Sequence, residues 1–130
     1  MSSKPKIRFP TVRYPITLST HSILRMKQRA GLKTKEKRKM FVKRASVKGL
    51  LFSHIPDIED FKSFLCYYRR TIRNAKKKDK YSSVFFYKDY FLIISELGIL
   101  LTVIKIDSQF KGTYEKVYRE LNKINEQASK

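Results

Sequence analysis

The chain has 130 residues, of which 42% are apolar, and a net charge of +19 at pH 7. That length suits one domain with one core, and that apolar content excludes a disordered basic tail. One cysteine, Cys66, excludes an internal disulfide and a multi-cysteine zinc site, while no apolar run reaches the roughly 20 residues of a membrane span.

Residues 1–10, "MSSKPKIRFP", mix Lys, Arg, Ser and two prolines and read as a flexible basic arm without the apolar segment of a secretory signal. Residues 11–130 read as a single α+β domain. "YPITLS" (14–19) alternates well enough for a short strand. Ser19 or Thr20 can then cap a helix over about 21–31, stopped by Gly31. On a helical wheel Ile23, Met26 and Ala30 fall on one side, and His21, Arg25, Gln28 and Arg29 on the other.

"LKTKEKRKMFVKRASVKG" predicts a second helix, capped by Thr34, with Glu36 in its first turn and Gly49 at its end. Its apolar residues Met40, Phe41, Ala45 and Val47 make a narrow stripe beside a broad cationic face. A third helix starts near "SHIPDIED", with Asp57, Glu59 and Asp60 at its positive dipole end. Its stripe is Ile58, Phe61, Phe64, Leu65, Tyr68 and Ile72.

From residue 82 the period changes. "YSSVFFYKDYFLIISELGILLTVIKID" predicts three antiparallel strands, about 82–87, 90–95 and 99–106, turning at Lys88-Asp89 and Glu96-Leu97-Gly98. The last two strands are apolar on both faces and call for cover on each side. "GTYEKVYRELNKINEQASK" closes as an amphipathic helix capped by Thr113, with Tyr114, Val117, Tyr118, Leu121 and Ile124 as its stripe. The predicted architecture is α+β: N-terminal helices and a C-terminal amphipathic helix on a small antiparallel sheet.

Charge points to the partner. Residues 1–50 carry 15 Lys/Arg and one acid, a net +14, whereas residues 81–130 carry seven Lys/Arg and six acids, a net +1. Charge concentrated in this way repels itself and calls for a polyanion. The candidate contacts are Lys27, Lys33, Lys35, Lys37, Arg38, Lys39, Lys43 and Arg44 in the first half. Arg69, Arg70, Arg73, Lys76, Lys77 and Lys78 follow at the end of the third helix. Tyr67 is a candidate for stacking on a base.

The stripe His21, Arg25, Arg29 has a sharper reading. Two guanidiniums one turn apart can grip phosphate oxygens, and a neutral imidazole beside them could move a proton. The competing reading is a basic helix face that only touches phosphates. His54 in "SHIPD" and His21 have no Cys or paired carboxylates nearby, so no metal or other cofactor is indicated.

"ITLSTHSILRMKQRAGL", followed later by "YFLIISELGILLTVIKI", resembles small bacterial and phage proteins with a His-Ala-x-x-Arg-x-x-x-Arg helix and a Leu-Ile-Thr-Val-like closing strand. His21, Arg25 and Arg29 match the helix, with Ser22 in place of Ala. Leu100, Leu101, Thr102 and Val103 match the strand. The resemblance is to RelE- and BrnT-like ribonuclease toxins of the barnase-type superfamily, and it covers about a third of the chain.

It implies helices on an antiparallel sheet and a metal-independent endoribonuclease. His21, Arg25 and Arg29 would be catalytic, with Thr102 and Lys105 in support. The late strands otherwise lack the charged residues such toxins carry, so a non-enzymatic phage or mobile-element protein that binds nucleic acid or a ribonucleoprotein and inhibits a host machine stays open. RNA stands ahead of DNA as partner. An acidic protein, such as an antitoxin or a host nucleic-acid enzyme, comes next, with no membrane role and a cytoplasmic location.

Overall fold

A computed structural model describes residues 17–80 and 82–128. The expected basic arm, residues 1–10, lies outside them, as do positions 14–16 of the first strand. The order is β1 (Thr17–Leu18), α1 (Thr20–Arg29), α2 (Lys35–Lys48), α3 (Lys62–Lys78), β2 (Ser83–Tyr87), β3 (Tyr90–Ile94), β4 (Ile99–Lys105) and α4 (Thr113–Ala128). Short 3-10 turns occupy Phe52–His54, Glu59–Phe61 and Ser108–Phe110. The α+β class holds.

The sheet is mixed rather than purely antiparallel, with strand order β1-β4-β3-β2. β2, β3 and β4 form the expected meander, but β1 joins as a parallel edge strand, Thr17 against Ile99 and Leu18 against Leu100. β4 carries one extra residue where Ile93 and Ile94 pair with Thr102 and Leu100. That bulge leaves Leu101 outside the register.

Register assigns the faces. Phe85, Tyr87, Tyr90, Leu92 and Val103 share one face, and Val84, Phe86, Phe91, Ile93 and Ile104 share the other. α2 lies on the first, where Phe41 meets Tyr87 and Tyr90 edge-on at 5.6 Å each. α3 lies on the second, where Phe64 sits 4.7 Å from Phe86 and Tyr68 sits 4.7 Å from Phe91. Each fully buried aromatic stabilises the fold by roughly 1.5–3 kcal/mol. Tyr68 keeps its polar end satisfied: its hydroxyl is shared between Leu50 O at 3.0 Å and Val84 O at 2.8 Å. Burial pushes its ionisation far upward.

α1 begins as the sequence predicts. Ser19 is the N-cap, accepting from Ser22 N, and Thr34 caps α2 in the same way from Lys37 N. Gly31 at φ +66 turns the chain back so that Leu32 N reaches Met26 O at 3.1 Å. The β2–β3 hairpin is less relaxed, because Lys88 holds φ +52. A left-handed bulky residue costs about 1–2 kcal/mol.

Four local expectations change. α2 buries Val42 and Ala45, while Met40 and Val47 are about half exposed; the 3.6-residue repeat that carries Phe41, Val42 and Ala45 to the sheet turns those two outward. Ile58 is exposed, and Asp57, Glu59 and Asp60 all precede α3, Glu59 and Asp60 in a separate 3-10 turn, rather than standing in its first turn. Thr113 is buried inside α4, its hydroxyl donating to Phe110 O at 2.7 Å, so it does not serve as the outer cap. β4 is only partly buried at Leu101, Thr102 and Ile104, where its outer edge carries only the two-residue β1 and no full-length neighbouring strand.

Candidate nucleic-acid interface

The basic residues divide into three groups with different duties. The first lies on α2 and the loop before it. Seven of the 14 residues of α2 are Lys or Arg, against one acid, Glu36. Lys35, Lys39 and Lys43 follow one another at i, i+4 along the exposed side, and Arg44 and Lys48 form a second such step. Like charges at that spacing each cost a helix a few tenths of a kcal/mol. Lys27 and Lys33, both exposed, extend the charge toward α1. Among the described residues two ion pairs form, Lys62–Glu59 and Lys123–Glu120, and neither involves α1 or α2.

Arg38 belongs to α2 but turns inward. Its guanidinium donates to Leu32 O at 3.2 Å and to Lys33 O at 3.1 Å, closing the α1–α2 loop. It is thereby removed from the free cationic face.

The second group is the C-terminal half of α3. Arg69, Arg70, Arg73, Lys76, Lys77 and Lys78 are all exposed, and Arg69 lies 5.5 Å over the Phe52 ring. Because α2 and α3 cover opposite faces of the sheet, these charges and those of α2 form two separate surfaces. Tyr67 does not serve as a free stacking platform. It is half-buried, stacked on Phe110 at 5.0 Å, and its hydroxyl accepts from Asp107 N at 3.2 Å.

The third group is the His21 stripe, and the structure divides it. His21 is exposed, as the wheel predicts, and Arg25 Nε donates to its Nε2 at 3.4 Å. Arg25 also donates to Gln28 Oε1 at 3.0 Å. Arg29 is half-buried and donates to Val103 O at 2.8 Å. This caps the edge of β4 beyond its short pairing with β1, a duty the wheel does not reveal.

Thr102 pairs with Ile93 and Lys105 with Tyr90, so the two project from opposite faces of β4 and do not flank a common point. Of the three residues expected to be catalytic, His21 and Arg25 are joined directly. Arg29 is committed to the sheet edge.

His54 has a structural duty. Its Nδ1 accepts from Leu51 N at 3.1 Å, and burial holds its pKa below the usual histidine value. Tyr114 and Tyr118 remain stripe residues, and both hydroxyls donate to Lys48 O, at 2.6 and 2.7 Å, closing the end of α2. Burial raises both ionisations.

Two clefts accompany these surfaces. One, of about 520 Å³, lies between the start of α3 and α4 and mixes Lys116, Arg119 and Lys123 with Asp60 and Glu120. The other, of about 370 Å³, lies between α2 and the β2–β3 hairpin and joins the cationic face. Residue spacing alone points to neither. Met40 and Lys88, which line the second, are read from sequence as a core residue and a turn residue.

No protein-family model, no curated protein and no solved structure matches this chain. Among the described residues no helix is long and apolar enough to cross a membrane.

Proposed function

We propose that this protein binds nucleic acid, RNA ahead of DNA, and that the outer side of α2 is its principal contact. One observation carries the reading. α2 exposes two like-charge rows, with no acid paired to them among the described residues, and so bears a self-repulsion that a phosphate backbone would relieve. The exposed cations at the end of α3 form a second contact, which a long strand could reach by passing around the molecule. RNA leads because the opening helix and closing strand resemble the RelE-like toxins.

A non-enzymatic binder fits this arrangement better than a nuclease, since Arg29 is engaged with Val103 O and Thr102 and Lys105 diverge. The nuclease reading retains one supporting contact, Arg25 on the His21 imidazole at 3.4 Å. The test is to incubate labelled RNA with the protein in EDTA, beside His21→Ala, and to titrate binding against salt. Binding that weakens steeply with salt, without cleavage, is the expected result. Cleavage lost in His21→Ala would replace the binder with the enzyme. A flat salt response would remove the phosphate-contact argument for α2, and binding of no RNA would remove the nucleic-acid reading.

A further inference from the structure

The groove between α2 and the β2–β3 hairpin differs from the rest of the cationic face. Leu32, Met40, Phe41 and Tyr87 give it an apolar lining, and Lys37, Arg44, Lys88 and Glu36 supply the charge. Lys37 and Arg44 stand two turns apart on the same side of α2, about 10 Å along its axis. Between them Met40 is 51% exposed, a large apolar side chain held in water beside charges.

The opposite wall is fixed by the hairpin. Among the described residues Lys88 is the one non-glycine with a positive φ, and that backbone sets its Nζ 5.5 Å over the Tyr87 ring at the rim. An unfavourable backbone conformation that brings a cation to a groove is the kind of strain that collects at binding sites.

We propose that this groove receives one unstacked base of a single-stranded nucleic acid, so that the protein prefers single strands to duplex. The base would lie against Met40 and Phe41, with its flanking phosphates on Lys37, Arg44 and Lys88. This rests on the nucleic-acid reading above and makes it specific. The groove's volume falls near the lower end of clefts that hold small organic ligands, about 300–1,000 Å³. Stacking on such a lining needs no sequence match, since every base has a π-face.

Glu36 supplies the discrimination. It is the sole acid in residues 1–50, and it lines this groove. A carboxylate among phosphate-binding cations opposes a rigid duplex, which can offer only phosphates there. A single strand can set its base, rather than a phosphate, beside Glu36 while its phosphates stay on the three cations, so the repulsion falls mainly on the wrong ligand.

The preference is informative because a plain cationic surface behaves the other way. Duplex has the higher charge density and the steeper salt dependence. The experiment compares a labelled 12-nucleotide RNA with the 12-base-pair duplex of the same sequence, by fluorescence anisotropy near physiological salt. The expected result is tighter binding of the single strand by about tenfold.

Met40→Ala should remove most of that margin and leave duplex binding unchanged. Met40→Phe should restore it, and Glu36→Gln should raise duplex affinity more than single-strand affinity. Duplex bound as well as single strand, or equal losses for both in Met40→Ala with thermal stability unchanged, would overturn the groove and leave the cationic face standing. Binding of neither would overturn both readings.

Discussion

Replacing Lys39 and Lys43 by Gln tests the interface and the fold with opposite signs. Both side chains are exposed, and Lys35, Lys39 and Lys43 form two successive like-charge steps on α2. Each step costs a helix roughly 0.2–0.5 kcal/mol, and Gln matches Lys closely in helix propensity. The double variant should therefore be more stable by about 0.4–1 kcal/mol, a rise in Tm of about 1–5 °C for a domain of this size.

Binding should move the other way. Each phosphate contact to a single strand contributes about 0.7 to the slope of log affinity against log salt, so two lost contacts lower that slope by about 1.4. Between 1 M and 0.15 M salt one contact is worth about fourfold, and two about fifteenfold. The assay pairs thermal unfolding with anisotropy titrations at four or five salt concentrations. An unchanged slope would refute the assignment of α2 as the contact face. A fall in both Tm and affinity would instead mean that these lysines support the fold.

Arg29→Met should lower stability by about 1–2 kcal/mol in urea, since a half-exposed charged donor to Val103 O is lost; unaltered stability with weaker RNA binding would return Arg29 to the phosphate contacts. Tyr68→Phe should cost about 1–2 kcal/mol by leaving two buried carbonyls without their shared donor, checked by the same denaturation. The fold should also weaken as pH drops through and below the ordinary histidine pKa of about 6.5. His54 is held neutral by burial, so its depressed pKa gives stability that is present above 6.5 and lost on acidification. Tm measured from pH 7.5 to 5 should fall less steeply in His54→Ala than in the native chain. In alkali, the hydroxyls of Tyr68, Tyr114 and the half-buried Tyr118 should resist ionisation beyond the usual tyrosine range, followed by ultraviolet absorbance, because loss of solvent raises all three.

Much of the local structure was legible in residue order. Ser19 and Thr34 cap the first two helices because a short hydroxyl there can reach a free backbone N–H. The meander follows from three β-rich runs broken at Lys88-Asp89 and Glu96–Gly98. The exposure of His21 follows from the wheel. The apolar and charged sides of α1 were less separable than the wheel suggested, since Ser22 is fully buried and Arg29 half-buried. A periodic pattern records which residues are apolar, but an arginine that satisfies a strand-edge carbonyl carries no apolar signature.

Local sequence by itself determined the helices, the hairpins and the surplus of positive charge in the first half, because caps, periodicity and charge act over a few residues. Only the tertiary structure decided the partners. It set β1 parallel beside β4, and placed α2 and α3 on opposite faces so that their charges form two surfaces. It also sent Arg29 to Val103 O, Arg38 to the loop carbonyls and Tyr67 to Phe110. Those contacts join positions dozens of residues apart or depend on which way a helix rotates against the sheet. Packing of the whole core selects that rotation, and no short stretch of sequence encodes it.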